Sequence, residues 1–280
     1  MIGRSGKAGA LLFVLAAQPT LLAAQGRVAN PHVTISLIPA TTRAAPGEPL
    51  RVAVQFAVEE GWHIYWKNPG EGGIVPRMTW TLPTGWTADT LAWPVPERYE
   101  VAGLISHIHR GRLAVGTSLR VPASATGRAT VKVEMIYGIC RDLCMPGKAT
   151  VQLQIPVGPG QAASPAWGAV QAVLDGRAPR TDPPPTTARL VDSTVTLTIR
   201  PRPGLAASPT SWTFFPADRP VSPVAVSGRA GPGSREVTLQ IRLADCTPTR
   251  LNGILVPGNA ALASPTGYAV SVPVRGGGTC

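Results

Sequence analysis

Two stretches that alternate apolar and polar residues flank a pair of cysteines. Val131-Lys132-Val133-Glu134-Met135 leads into Tyr137-Gly138-Ile139-Cys140, and after Arg141-Asp142-Leu143 the chain resumes with Cys144-Met145-Pro146-Gly147 and then Val151-Gln152-Leu153-Gln154-Ile155. Alternation with period two marks strands with one buried face, so the cysteines occupy a tight connection at a sheet edge or barrel end. The same pattern recurs at Val33, Ile35 and Leu37, and at Leu50, Val52, Val54, Phe56 and Val58. It returns at Val195, Leu197 and Ile199, at Val237, Leu239, Ile241 and Leu243, and at Val270, Val272 and Val274. With 30 Pro and 30 Gly in 280 residues, long helices are disfavoured and many short strands joined by turns are favoured. The chain reads as all-β.

The pattern breaks between 157 and 188. Ser164-Pro165 before Ala166–Leu174 predicts one short helix, with Ser164 as N-cap and Pro165 in the first turn. Arg177–Thr187, which contains Pro183-Pro184-Pro185, reads as a stiff linker. These features predict a domain at 28–158, a helix and Pro-rich linker at 159–187, a second domain at 188–275 and a tail at 276–280.

Arg4 and Lys7, an apolar run from Ala8 to Leu22 and then Ala23-Ala24-Gln25 have the form of a secretory signal peptide over residues 1–24. An uncleaved anchor is the alternative, although the run is short for a membrane span. Without that leader no transmembrane segment is expected, and an exported chain meets an oxidising compartment where paired cysteines engage in disulfide chemistry. The formal charge is +11, or +9 without Arg4 and Lys7. The arginines are spread along the sequence, and no basic-aromatic stripe suggests nucleic acid.

A disulfide needs Cα atoms about 4.4–6.8 Å apart, whereas four extended steps span about 13 Å. The chain must therefore turn between Cys140 and Cys144, with Gly138, Pro146 and Gly147 as the available turn formers. So short a ring contributes about 2 kcal/mol in the loop-closure model, a weak brace. As an exchange centre it has the right form, because one thiolate attacks a partner's disulfide and the other resolves the mixed intermediate. Arg141 would favour a thiolate at Cys140 and Asp142 would oppose it. An inert local disulfide and a metal site remain the alternatives. Cys246 and Cys280 are expected to form a structural disulfide, with a free Cys280 or one paired between molecules as the alternative.

The run Cys140–Gly147, together with Gly61-Trp62-His63-Ile64-Tyr65-Trp66-Lys67-Asn68-Pro69-Gly70 and Trp93-Pro94-Val95-Pro96, resembles the periplasmic N-terminal region of DsbD-type protein-disulfide reductases. The ScsB-like subtype, with its C-x-x-x-C spacing, is the nearest in pattern, and the resemblance covers roughly residues 33–275. It implies two immunoglobulin-like β-sandwich domains, the first redox-active and the second structural or partner-positioning. It implies catalytic Cys140 and Cys144, with Cys144 the one that joins partners. It also implies an active site lined by His63 and Tyr65 and a capping loop formed by Glu97, Arg98 and Tyr99. Trp62 and Trp66 are expected in the core, and Asn68–Gly73 as a connecting turn.

The implied activity is periplasmic thiol–disulfide exchange without a cofactor. Its partners would be a membrane-embedded thiol reductase on a separate chain and periplasmic thioredoxin-fold proteins. Two other classes stand beside it. One is a copper-binding envelope protein that uses the cysteines with His107 and His109, which share a strand face; Ser106–Gly111 departs from the family pattern here. The other is a non-catalytic β-sandwich adaptor.

Overall fold

The alternating runs become strands, and their apolar positions face inward. In the computed structural model, which describes residues 26–201, 211–218, 226–231, 236–243, 248–258 and 266–277, the first part holds eleven strands. They are β1 (Arg27–Asn30), β2 (Val33–Pro39), β3 (Pro49–Val58), β4 (His63–Gly70), β5 (Arg77–Thr81) and β6 (Thr87–Ala88). Then come β7 (Glu97–Val101), β8 (Leu104–His109), β9 (Arg112–Arg120), β10 (Gly127–Cys140) and β11 (Cys144–Val157). One sheet has the order β1-β2-β3-β9-β6; the facing sheet runs β11-β10-β4-β8-β7, with β5 also on β10. Ile35, Leu37, Val52, Val54 and Phe56 of the first sheet meet Val131, Val133, Met135, Val151 and Leu153 of the second in one buried cluster. Each such side chain contributes roughly 1.5–3 kcal/mol on burial.

Helix α1 (Trp167–Arg177) covers the outer face of the first sheet. Val170 packs on Ile38, Ala53 and Ala114, flanked by Trp167, Val173 and Leu174. That is why Ala53, on the outward side of an alternating strand, is nevertheless buried. The helix begins later than its sequence suggests. Ala166 is the N-cap and no side chain caps it; Ser164 lies two residues earlier, its N–H donating to Ala40 and its carbonyl accepting from Trp167.

The second part has β12 (Thr186–Val191), β13 (Thr194–Ile199), β14 (Ser211–Pro216) and β15 (Val226–Arg229), followed by β16 (Val237–Arg242), β17 (Arg250–Pro257) and β18 (Tyr268–Arg275). Their order is β15-β14-β17-β18-β12-β13-β16, and a bridge from Ala230 to Val237 brings the two ends of that order together. Val195, Leu197, Ile199, Trp212, Phe214, Leu239 and Leu255 fill its core. The chain is all-β, with two immunoglobulin-like sandwich domains joined by the short helix and the Pro-rich stretch. The two cores touch: Phe214 faces its own, whereas Phe215, Ile254 and Val256 belong to the buried cluster of the first domain. The expected leader at residues 1–24 and the pairing of Cys246 with Cys280 lie outside the described residues.

Two proline-containing stretches, one of them the expected turn at Asn68–Gly73, are part of the packed structure. Trp93 and Val95 are buried and Val95 N–H donates to Arg177 O, so the Pro-rich stretch before β7 is no surface loop. Asn68, Pro69 and Gly70 continue β4, all buried.

Candidate redox site

Strands β10 and β11 form a long antiparallel hairpin whose last register pair is Cys140 with Cys144. Only Arg141, Asp142 and Leu143 lie between them, and the two cysteines, Cα atoms 4.2 Å apart, are joined by a disulfide. Gly138, Pro146 and Gly147 sit inside the strands rather than in the turn. The two glycines have another function. A Cβ on Gly138 would lie 3.1 Å from the Tyr65 ring, and one on Gly147 would overlap the Tyr137 ring. Each glycine lets a tyrosine lie flat against the hairpin.

The two sulfurs occupy unlike surroundings. Cys140 is 1 % exposed and packs among Tyr65, Ile108 and Tyr99. Cys144 is exposed, as are Arg141, Asp142 and Leu143. The Tyr65 hydroxyl oxygen is 3.2 Å from each sulfur. Sulfurs bonded to each other carry no proton, so the phenol is the donor. Burial, and then Tyr99, raises the Tyr65 pKa, which keeps that proton in place. His63 is the register partner of Cys140; its ring lies 5.6 Å from that of Tyr65 and 5.0 Å from that of Tyr99. Burial, aided by the Arg110 charge, pushes His63 down to about 4, so its imidazole is neutral near pH 7.

A cation reaches the site from β8's end. The guanidinium of Arg110 lies over the Tyr99 ring at 5.0 Å and pairs with Glu97 at 2.9 Å. At the hairpin tip, Arg141 pairs with Asp142 at 2.9 Å and stacks over Trp62 at 5.2 Å, so its charge is largely offset in solvent. Trp62 is only half-buried, stacked on His32 with ring centroids 3.7 Å apart, and Trp66 alone of the pair is fully buried.

The expected cap is therefore brought to the sulfurs only in part. Tyr99 touches the Cys140 cluster. Glu97 is fully buried and spends its carboxylate on Arg110 and, at 4.0 Å, Arg177. Arg98 pairs with Glu100 at 2.7 Å. His107 and His109 are also not beside the cysteines. Ile108, between them, faces Cys140, and strand parity sends its neighbours to the other side. There His107 meets Trp66 and Phe215 and His109 lies against Trp93. The cysteine–histidine copper set is thus not assembled, and among the described residues no three His, Cys, Asp or Glu side chains converge as a metal site. Sequence reasoning missed Ile108 and Arg110. Parity from His107 could have found Ile108; Arg110 carries no local signal.

The family "Thiol:disulfide interchange protein DsbD, N-terminal" matches residues 36–156. No curated protein matches the chain. The N-terminal periplasmic domain of ScsB from Proteus mirabilis is similar in structure, with TM-score 0.60 and 13% identity over 89% of this chain and 98% of that one. A variant of BcpA, the major pilin subunit of Bacillus cereus, has TM-score 0.27 at 6% identity over 85% of this chain and 66% of its own. The periplasmic chaperone SfaE has 0.21 at 8% over 85% and 98%. Neither of these two bears on the fold. The hairpin disulfide and the matched span together identify the first domain: the chain carries a DsbD-type N-terminal domain, a thiol–disulfide exchange domain built on a cysteine pair.

Proposed function

We propose that this protein relays electrons in the periplasm, between a membrane-embedded thiol reductase on a separate chain and exported thioredoxin-fold proteins, through Cys140 and Cys144. The observation that carries the reading is the asymmetry of the disulfide: an exposed sulfur at Cys144 bonded to a buried one at Cys140. In the reduced protein, the Cys144 thiolate attacks one sulfur of a partner's disulfide, and the partner's other sulfur leaves as a thiolate that takes up a proton. Cys140, deprotonated, then attacks Cys144 Sγ and expels the partner's second thiolate. Two electrons pass to the partner, and Cys140–Cys144 is left as the disulfide. The reductase reverses these steps, its thiolate attacking the exposed Cys144 Sγ. The Tyr65 hydroxyl, beside both sulfurs, donates to whichever carries negative charge, and hydrogen bonding to a charged form favours it. Export by cleavage of residues 1–24 and the division at 28–158, 159–187 and 188–275 belong to the same reading, supported by the leader-like composition and the linker.

The test is trapping. Cys140→Ser leaves the exposed thiol without its resolving partner and should accumulate a mixed disulfide with an oxidised thioredoxin-fold protein on non-reducing gels. Cys144→Ser should not. A wild-type reduction potential of about −180 to −270 mV would accompany this, the span from disulfide isomerase to thioredoxin. A potential below about −300 mV, the range of structural disulfides, with no trapped species, would discard the reading.

A further inference from the structure

The second domain reaches the redox site without touching the sulfurs. Asn68 on β4 is fully buried, and its Nδ2 donates to the carbonyl of Pro216 on β14 at 2.8 Å. Its backbone oxygen accepts from Nδ1 of His107 on β8 at 2.7 Å, and its Oδ1 accepts from Gly70 N–H at 3.3 Å. Phe215, the neighbour of Pro216, closes the joint with its ring 5.1 Å from His107 and 6.4 Å from Trp66.

These bonds lie where the sheet's own ladder fails. Strand β4 pairs with β8 at Ile64–His109 and Tyr65–Ile108, and then only at Gly70–Ser106, with the register shifted between. Asn68 sits in that gap: the His107 side chain on β8 satisfies its backbone oxygen in place of a ladder bond, and its own side chain donates across to the Pro216 carbonyl of the second domain. The same two strands present Tyr65, three residues before Asn68, and Ile108, next to His107, to Cys140. Close-packed interiors transmit such displacements because no free volume absorbs them.

We propose that Asn68 and Phe215 are positioning residues for the redox pair: the second domain holds β4 and β8 so that Tyr65 and Ile108 cover Cys140. Releasing the joint uncovers Cys140 and moves the pair's equilibrium with external thiols. This rests on the pair being an exchange centre. The test compares wild type with Asn68→Ala, Phe215→Leu and a control, Leu239→Ala, which disturbs the second core away from the joint. Each is reduced, shown to be folded by circular dichroism, alkylated with iodoacetamide and resolved at Cys140 and Cys144 by mass spectrometry. Each oxidised form is also equilibrated with glutathione. In both joint variants Cys140 alkylation should rise about tenfold, in keeping with coupling energies between contacting residues. The glutathione equilibrium should move by about tenfold, or about 30 mV. Cys144 and the control should stay near wild type. Unchanged Cys140 rates in the joint variants, or an equal rise in Leu239→Ala, would overturn the coupling; should Asn68→Ala not fold, Phe215→Leu decides alone. A wild-type pair that glutathione never reduces would instead overturn the exchange reading, and the alkylation rates would still decide the coupling.

Discussion

The Tyr65 hydroxyl oxygen stands 3.2 Å from the sulfur of Cys144, and the same atom is equally near Cys140. One phenol therefore stands within hydrogen-bond reach of both members of the pair. Tyr65→Phe removes that donor and keeps the ring against Gly138. Hydrogen bonds to charged groups are worth roughly 1.5–3 kcal/mol, so the pH profile of alkylation of the reduced protein should shift up by about one unit. A superimposable profile would show the hydroxyl to be idle.

Access separates the sulfurs. In the reduced wild type, iodoacetamide should label Cys144 at least about tenfold faster than Cys140, since reactivity follows exposure and thiolate character. Mass spectrometry of the partly labelled protein reads this directly. Equal labelling would mean that Cys140 is not covered in the dithiol form.

Gly138→Ala places a Cβ 3.1 Å from both the Tyr65 ring and Ile74. Overpacking of this kind costs about 1–3 kcal/mol, and the displaced phenol should shift the alkylation profile as Tyr65→Phe does. A thermal melt and the same pH titration check both halves. A lower Tm with an unchanged profile would separate packing from chemistry.

Glu97→Gln leaves Arg110 and Arg177 without their shared carboxylate. Removing one member of a buried pair costs about 3–5 kcal/mol; Arg110 is partly solvated, with its side chain 38% exposed, so a loss of about 2 kcal/mol is expected. Urea denaturation measures it. A loss within experimental error would mean that solvent already satisfies Arg110.

Three buried histidines should make the fold acid-sensitive. Burial lowers His63 and His107 to about 4 and His109 to about 3, with Arg110, Arg98 and Arg177 as the respective cations that add to it. Once unfolded, each takes a proton near pH 6.5. The unfolded chain thus binds more protons below that value, and stability should fall as pH drops from about 6.5 to about 4, by roughly 1 kcal/mol per unit for each ring. Melting temperatures at pH 7, 6 and 5 test this. His109→Phe, which keeps a ring on Trp93, should make the decline shallower; an unaltered slope would exclude His109 as a contributor.

What the sequence settled by itself was local. Period two fixed which side chains of 33–37, 50–58, 131–135 and 151–155 turn inward, because strand geometry leaves no other choice. The spacing of Cys140 and Cys144 required a turn, since a disulfide cannot span extended chain. The tertiary structure decided everything that depends on what lies across a strand. Gly138 and Gly147 look like turn residues along the chain, yet they serve to seat Tyr65 and Tyr137. His107 and His109 look like ligands, yet Ile108 holds the face toward Cys140. Ser164 has the form of a cap, yet the helix takes Ala166 as its N-cap and the Ser164 N–H is bound to Ala40. The reason is common to all three. A sequence specifies the two faces of a strand, but only packing against distant segments determines which face meets the sulfurs and which meets the other domain.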